Sequence, residues 1–530
     1  MAAAFLSVVV LAAALGAEPD KAPGNAPVTI FESTADLAPQ NKIDELVFGR
    51  LKSLGIQPAR LCSDAVFVRR VYLDVIGTLP TAKEASEFLD DRNPDKRSKV
   101  VDRLLERREF ADYWALKWSD VLRVKAEFPV KLWPNAVQAY HRWILTSIRE
   151  NKPYDRFVRE LLTSSGSNFR EPAVNFYRAV PSKDGPTIAQ AVALTFMGMR
   201  TATWPKERQA GMAAFFSQVG YKGTKEWKEE IVFFDLEKAA AQAADPKSQP
   251  AVFPDGTPAR LSPDKDPREV FADWLISPKN PWFAQNIVNR IWYWLLGRGV
   301  IYEPDDVRPD NAPSNPELLA YLGQELVAAR YDLKHVYRLV LNSKTYQLSA
   351  VPQSKHADAA ANFAHYPLRR LDAEVLIDAL CQITGTGEEY SSQIPEPYTF
   401  IPKSNRTITL ADGSITSPFL EMFGRPPRDT GLESERSDRP TPGQRLHLLN
   451  SGHIWQKMQK GPKLVDIVYS KDSSQEIARR LYLTILSRYP TEEEIGIVTS
   501  YAQSGVVKGR ESLVDLAWAL MNGGEFLYRH

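Results

Sequence analysis

The chain predicts a mainly α-helical protein of two modules, on three observations. Apolar residues recur at helical spacing over two long stretches, 42–220 and 266–530. The stretch between them, 221–265, loses that period and carries turn signals. And 530 residues are more than one compact core usually holds, so at least two domains are expected.

The elements follow in chain order. Ala2 to Leu15 is almost wholly apolar, and Gly16-Ala17 offers a small-residue cleavage site before Glu18-Pro19-Asp20. That pattern predicts a signal peptide over 1–17, without the usual basic start, and hence an exported protein at the periplasm or cell surface. The run is too short for a permanent membrane helix, so the mature chain is expected to have no transmembrane segment. Residues 18–41, rich in Pro, Ala and Asp, read as a linker.

In the first module Thr81 and Glu84 form a capping box. Val100, Val101, Leu104 and Leu105 make an apolar helix stripe; Tyr140, Trp143, Ile144 and Ile148 make another. A further helix runs through Phe157, Val158, Leu161 and Leu162. In the connector, Ile231 to Phe234 reads as a strand, Ala239 to Ala244 as a helix end, and Pro254-Asp255-Gly256-Thr257 as a turn. An irregular connector with one short β-hairpin is expected.

In the second module Ile287, Val288, Ile291, Trp292 and Leu295 fall at helical spacing, as do Leu333, Val336, Tyr337, Val340 and Leu341. Ser314 with Glu317, and Thr491 with Glu494, read as capping boxes. Leu513, Leu516, Ala517 and Leu520 form the last stripe, and 385–445 looks irregular. No period of 20 to 50 residues repeats, which argues against a solenoid.

The net charge of +1 supplies no global field toward nucleic acid, and none is expected as a partner. Cys62 and Cys381 lie far apart in apolar contexts, so a disulfide and two separate thiols both remain open.

Two sets of motifs carry a resemblance. Phe67-Val68-Arg69-Arg70-Val71-Tyr72-Leu73-Asp74, then Gly77-Thr78-Leu79-Pro80-Thr81, then Trp114, Trp118, Asp120 and Arg123 resemble the planctomycete cytochrome C second domain. Asn289-Arg290-Ile291-Trp292, Ser343-Lys344-Thr345-Tyr346-Gln347, and Arg369-Arg370-Leu371-Asp372-Ala373-Glu374 resemble its usual companion, the planctomycete surface domain. The resemblance implies exported helical modules and names no activity. It also implies a Cys-x-x-Cys-His haem site after a Leu-Gly-Val-Arg segment. Here the equivalent run is Met197-Gly198-Met199-Arg200-Thr201-Ala202-Thr203-Trp204, and 142–334 contains neither Cys nor His. A covalently held haem has no anchor there, no cofactor or metal is expected, and a redox role is disfavoured. Met197 and Met199 read as core rather than ligands.

Chemistry-bearing clusters remain. Asp305-Asp306 stands in a Pro-flanked acidic loop fit for acid/base work or Ca²⁺, though pairing with Arg298 or Arg308 is favoured. Arg425, Arg428, Asp429, Glu435 and Arg436 crowd the irregular region and are the candidate ligand surface; guanidinium forks there suit acidic glycan groups. Arg369, Arg370, Asp372, Glu374 and Asp378 are placed on one helix, and with Arg69, Arg70 and Asp74 read as structural ion pairs. His447 and His453, six apart, fall on opposite sides of an ideal helix. Trp114, Trp118, Trp292 and Trp294 read as core before sugar platform. No catalytic residue is assigned. The expected role is an exported accessory or binding protein for an acidic glycan or another exported protein. The alternative is a carboxylate-dependent polysaccharide hydrolase, which needs two carboxyls facing one cleft.

Overall fold

The apolar stripes become buried helix faces in a computed structural model describing residues 28–530 except 247, 263, 402, 403 and 508. Tyr154–Thr163 buries Phe157, Val158, Leu161 and Leu162. Leu333–Leu341 buries Val336, Tyr337, Val340 and Leu341. Helix accounts for 53% and strand for 5%, so the chain is mainly α. The predicted leader lies outside the described residues. Among the described residues no helix is long and apolar enough to cross a membrane.

Thr81 and Thr491 each form a capping box, with both reciprocal bonds present. The third predicted box differs: Asn315 caps the helix Pro316–Ala328, its side chain accepting from the Leu318 amide. Pro316 at the first helical position fixes the start one residue later than Ser314 implies.

The strands are short. β1 (Glu32–Ser33) pairs β2 (Leu61–Cys62). β3 (Gly166–Ser167) and β4 (Val219–Gly223) flank β5 (Glu230–Phe234), all antiparallel. The connector is therefore the expected hairpin, and it docks back onto the first segment. β6 (Arg369–Arg370) pairs β7 (Tyr528–Arg529). Arg369 and Arg370 thus sit on a strand, not on the helix predicted to carry them, because pairing with the C-terminal segment holds this stretch extended. The helix begins only at Ala373.

One apolar core runs from Ile43 to Phe526, through both segments. Helices α1 (Asp64–Ile76) and α2 (Arg108–Val121) come from the first, α3 (Pro281–Leu296) and α4 (Ala373–Thr384) from the second. Trp114 of α2 lies 5.3 Å from Trp294 of α3 and 4.5 Å from Tyr337, centroid to centroid. The four tryptophans of the sequence reading are all buried. Polar stitches cross the same seam. Asp44 accepts from the Thr345 amide and hydroxyl, both at 2.8 Å, and Arg70 donates to the Tyr346 carbonyl at 2.6 Å.

The segment matching the family's haem position is packed solid. Helix Gly185–Met197 ends on Gly198 in the left-handed region (φ +65°), with Met197 and Met199 buried. A Cβ at Gly198 would stand 2.6 Å from both Asn286 Oδ1 and the Pro304 carbonyl. Cys62 and Cys381 are free thiols.

Candidate functional site

The seam between the segments has a closed part built of charges. Asp120 near the end of α2 receives Arg428 at 2.8 Å and Arg436 at 2.6 Å. Arg436 also forks onto Glu374 of α4, at 2.6 and 3.0 Å. Asp372 accepts from Lys117 of α2 at 3.0 Å, Tyr113 at 3.2 Å and Arg529 of β7 at 3.3 Å. Asp74 of α1 accepts from the Tyr346 and Tyr366 hydroxyls, both at 2.9 Å, and faces Arg529 at 3.0 Å. Arg290 of α3 holds Asp305 at 2.6 Å and Glu433 at 3.1 Å. Desolvation of ion pairs this dry is offset by short, forked hydrogen bonds such as that of Arg436 onto Glu374, although Arg290 Nε, Arg428 Nη2 and Arg529 Nε donate none.

The electrostatics follow from that packing. Burial alone would raise the Asp372 carboxyl; Lys117, Arg529 and Arg436 outweigh it and hold it well below its ordinary value. Asp120 and Glu374 are likewise lowered against their burial, chiefly by Arg436. Glu433 goes the other way: burial raises it, Arg290 only partly opposes, and neighbouring Asp305 adds to the rise. Burial depresses Arg425 to about 10, with Arg428 adding to it.

The sequence-predicted residues therefore meet inside. Arg425, Arg428 and Arg436 are turned inward, and Arg425 donates to the Ile415 and Asp412 carbonyls. Asp429 pairs with Lys125 at 2.6 Å, and Glu435 caps the turn by accepting from Thr430 at 2.7 Å. Asp306, partly exposed, pairs with Arg308 at 3.2 Å. Arg69 and Arg70 donate to main-chain carbonyls of Ile485 and Tyr346 at 2.8 and 2.6 Å. Asp305, Asp306, Glu374 and Arg425 do not line one cleft. A cavity of about 50 Å³ remains among Lys117, Arg369, Asp372, Glu433, Arg436 and Arg529. That is room for a few waters and too little for a polymer.

The open part of the seam is different. A groove of about 480 Å³ lies between the turn after α1 with the Thr81–Glu84 cap, and α4 with the loops that follow it. Thr78 and Gln382 bridge its floor at 3.3 Å, and Gln382 also donates to the Leu79 carbonyl at 3.0 Å. Arg107 ties down Glu84 at 2.7 Å and Glu109 at 2.5 Å. On the second side Asp378 accepts from the Thr407 and Ile408 amides at 2.7 and 3.1 Å. Arg406 stands 3.6 Å from Asp378 with its side chain 36% exposed, and exposed Lys463 reaches the Gln382 carbonyl only at 3.5 Å. Arg406 also donates to the Gly77 carbonyl at 3.3 Å, so both cations are held by contacts longer than those of the buried pairs.

Behind the groove Lys457 bridges Glu388 at 3.0 Å and the Cys381 thiol at 3.5 Å. His453 meets Glu388 at 2.9 Å and His447 at 3.4 Å. The two histidines, read as opposed, are neighbours: the helix breaks at Ser451 into α5 (Pro442–Asn450) and α6 (Gly452–Lys460). Ser451 caps α6 and turns the chain, which ideal helical phasing cannot foresee. Among the described residues no group of three or more His, Cys, Asp or Glu is placed to hold a metal.

Sequence reasoning missed Lys117, Arg406, Lys463 and the His453–Glu388 pair. Their partners lie on other segments, tens to hundreds of residues away along the chain, and the local signal was only that 385–445 is irregular.

Two family models match the chain. Residues 42–212 match PSCyt2, a protein of unknown function (DUF1549), and residues 267–502 match PSD1, a protein of unknown function (DUF1553). No curated protein and no solved structure matches.

Proposed function

From the premise that this chain joins a member of the DUF1549 family to a member of the DUF1553 family, we propose that it is an exported binding protein whose inter-segment groove holds a cell-surface polymer. The observation that carries this reading is the groove itself: about 480 Å³, open, with Arg406 and Lys463 at its edge held by contacts of 3.3 to 3.6 Å. Arg406 and Lys463 offer charge to acid groups of the polymer, and Thr386, Ser404 and Asn405 offer polar contacts to its hydroxyls. Export follows the apolar leader Ala2–Leu15.

A hydrolase reading draws on one observation. Burial raises Asp378, while Glu109 is lowered, first by its bond to Arg107; such a split suits an acid and its ionised partner. But both Asp378 oxygens already accept main-chain amides, and Glu84 and Glu109 are fixed by Arg107. Carboxylates so engaged serve the fold, so binding is favoured over bond cleavage.

The test is affinity electrophoresis of the full chain in gels containing polygalacturonate. Retardation is expected for the wild type, with about tenfold weaker binding in an Arg406→Ala/Lys463→Ala variant whose melting temperature is unchanged. Equal retardation of both proteins, or none of either, would defeat the reading.

A further inference from the structure

A second surface lies apart from the seam charges. Trp227, at the tip of the β4–β5 hairpin, is 49% exposed, and Tyr398, on the irregular loop of the second segment, is 57% exposed. Their ring centroids are 5.5 Å apart at 37°. Trp133 of the first segment backs Trp227 at 5.4 Å in an edge arrangement. Lys228 sits 4.0 Å over the Trp133 ring and clamps it. Three regions of the chain, far apart in sequence, thus bring aromatic rings to one place on the surface.

Two features separate this cluster from stray surface aromatics. Large rings left in water are unfavourable, and here two in contact are each about half exposed. The backbone that presents them is also costly: Lys131 (φ 57°), Trp133 (φ 70°) and Lys228 (φ 61°) all occupy the left-handed region without being glycine. Such conformations gather where a surface must be held in a set shape for a ligand. Tyr and Trp provide rigid contact area at low conformational entropy cost.

From these observations we infer that the Trp227–Tyr398 pair is a stacking platform for a pyranose polymer. A pyranose ring is apolar on its C–H faces and polar around its edge. It fits flat aromatic faces set among hydrated side chains such as exposed Lys225, Glu226 and Lys228. A protein partner needs a broader apolar patch than two ring faces. Stacking does not depend on ligand charge, so this surface takes neutral sugars. It goes beyond the groove reading and stands without it.

The full chain is run in native gels containing hydroxyethyl cellulose or soluble mixed-linkage β-glucan, both uncharged pyranose polymers. Wild type is expected to be retarded in at least one. Trp227→Ala and Tyr398→Ala, both at exposed positions, are each expected to weaken that binding about fivefold or more. The Arg406→Ala/Lys463→Ala variant keeps it. No retardation of wild type in either gel overturns the inference, as does wild-type retardation of both aromatic variants. Binding of a single-stranded oligothymidylate by the same rings, in place of the sugars, overturns it too. The groove is read separately on polygalacturonate, so either proposal can fail alone.

Discussion

The closed and open parts of the seam are made of the same residue types and do opposite things with them. In the closed part, Arg428, Arg436 and Arg290 reach carboxylates at 2.6–2.8 Å in near-complete burial. In the open part, Arg406 and Lys463 are partly or wholly exposed, with contacts of 3.3 to 3.6 Å. A dense run of Arg, Asp and Glu can therefore be spent inside the fold. The proposed binding role rests instead on cations held by longer contacts at an open groove.

The comparison is hardest on Arg436. Arg436→Ala strips Glu374 and Asp120 of a shared fork and leaves buried carboxylates unbalanced. Loss of about 3–5 kcal/mol is expected, read as a lower urea midpoint. A loss near zero would mean that water fills the gap and the junction is not dry.

Acid should attack the fold in two stages, first at buried histidines outside the charge cluster and then at the cluster itself. Burial depresses His141 to about 3 and His530 to about 4. Each is neutral in the fold, so its contribution is complete above the ordinary 6.5 and is lost as pH falls toward those values. Asp372, Asp120 and Glu374 are held low by their cations. Their contribution is present above the unfolded values of 3.8 and 4.5 and is lost as pH falls below them. The urea midpoint should decline gently from pH 6.5 and steeply below 4.5. A midpoint level down to pH 4 would contradict the buried histidines.

Smaller effects belong to the groove. Thr81→Ala removes a capping box beside it and should cost about 1 kcal/mol. Lys463→Ala should change stability by no more than about 0.5 kcal/mol, measured by the same denaturation. Raising the salt concentration should weaken polygalacturonate binding while leaving the urea midpoint of the junction nearly fixed, because screening reaches exposed charges first.

Local physics made much of this legible. Helical stripes such as Leu333 to Leu341, the boxes at Thr81 and Thr491, and the connector hairpin are each decided within a few residues. The Arg–carboxylate groups were legible as structural pairs, but not who pairs with whom. Asp74 looks to neighbouring Arg69 and Arg70 in sequence, yet faces Arg529 across the seam. Asp120 finds Arg428 and Arg436 more than 300 residues away. Such contacts are set by the packing of α2 on the turn Thr407–Thr409, itself laid against α4, for which a single sequence carries no periodic signal. The His447–His453 contact was hidden for the opposite reason: one Ser-capped break voids an inference drawn from unbroken helix geometry.

The two segments share a main apolar core and a buried charge junction, and so should unfold as one body. Differential scanning calorimetry of the full chain at neutral pH tests this most directly. One endotherm is predicted, with calorimetric and van't Hoff enthalpies in agreement, moved to lower temperature as a whole by Arg436→Ala. Two separable endotherms, only one of which responds to that substitution, would contradict it.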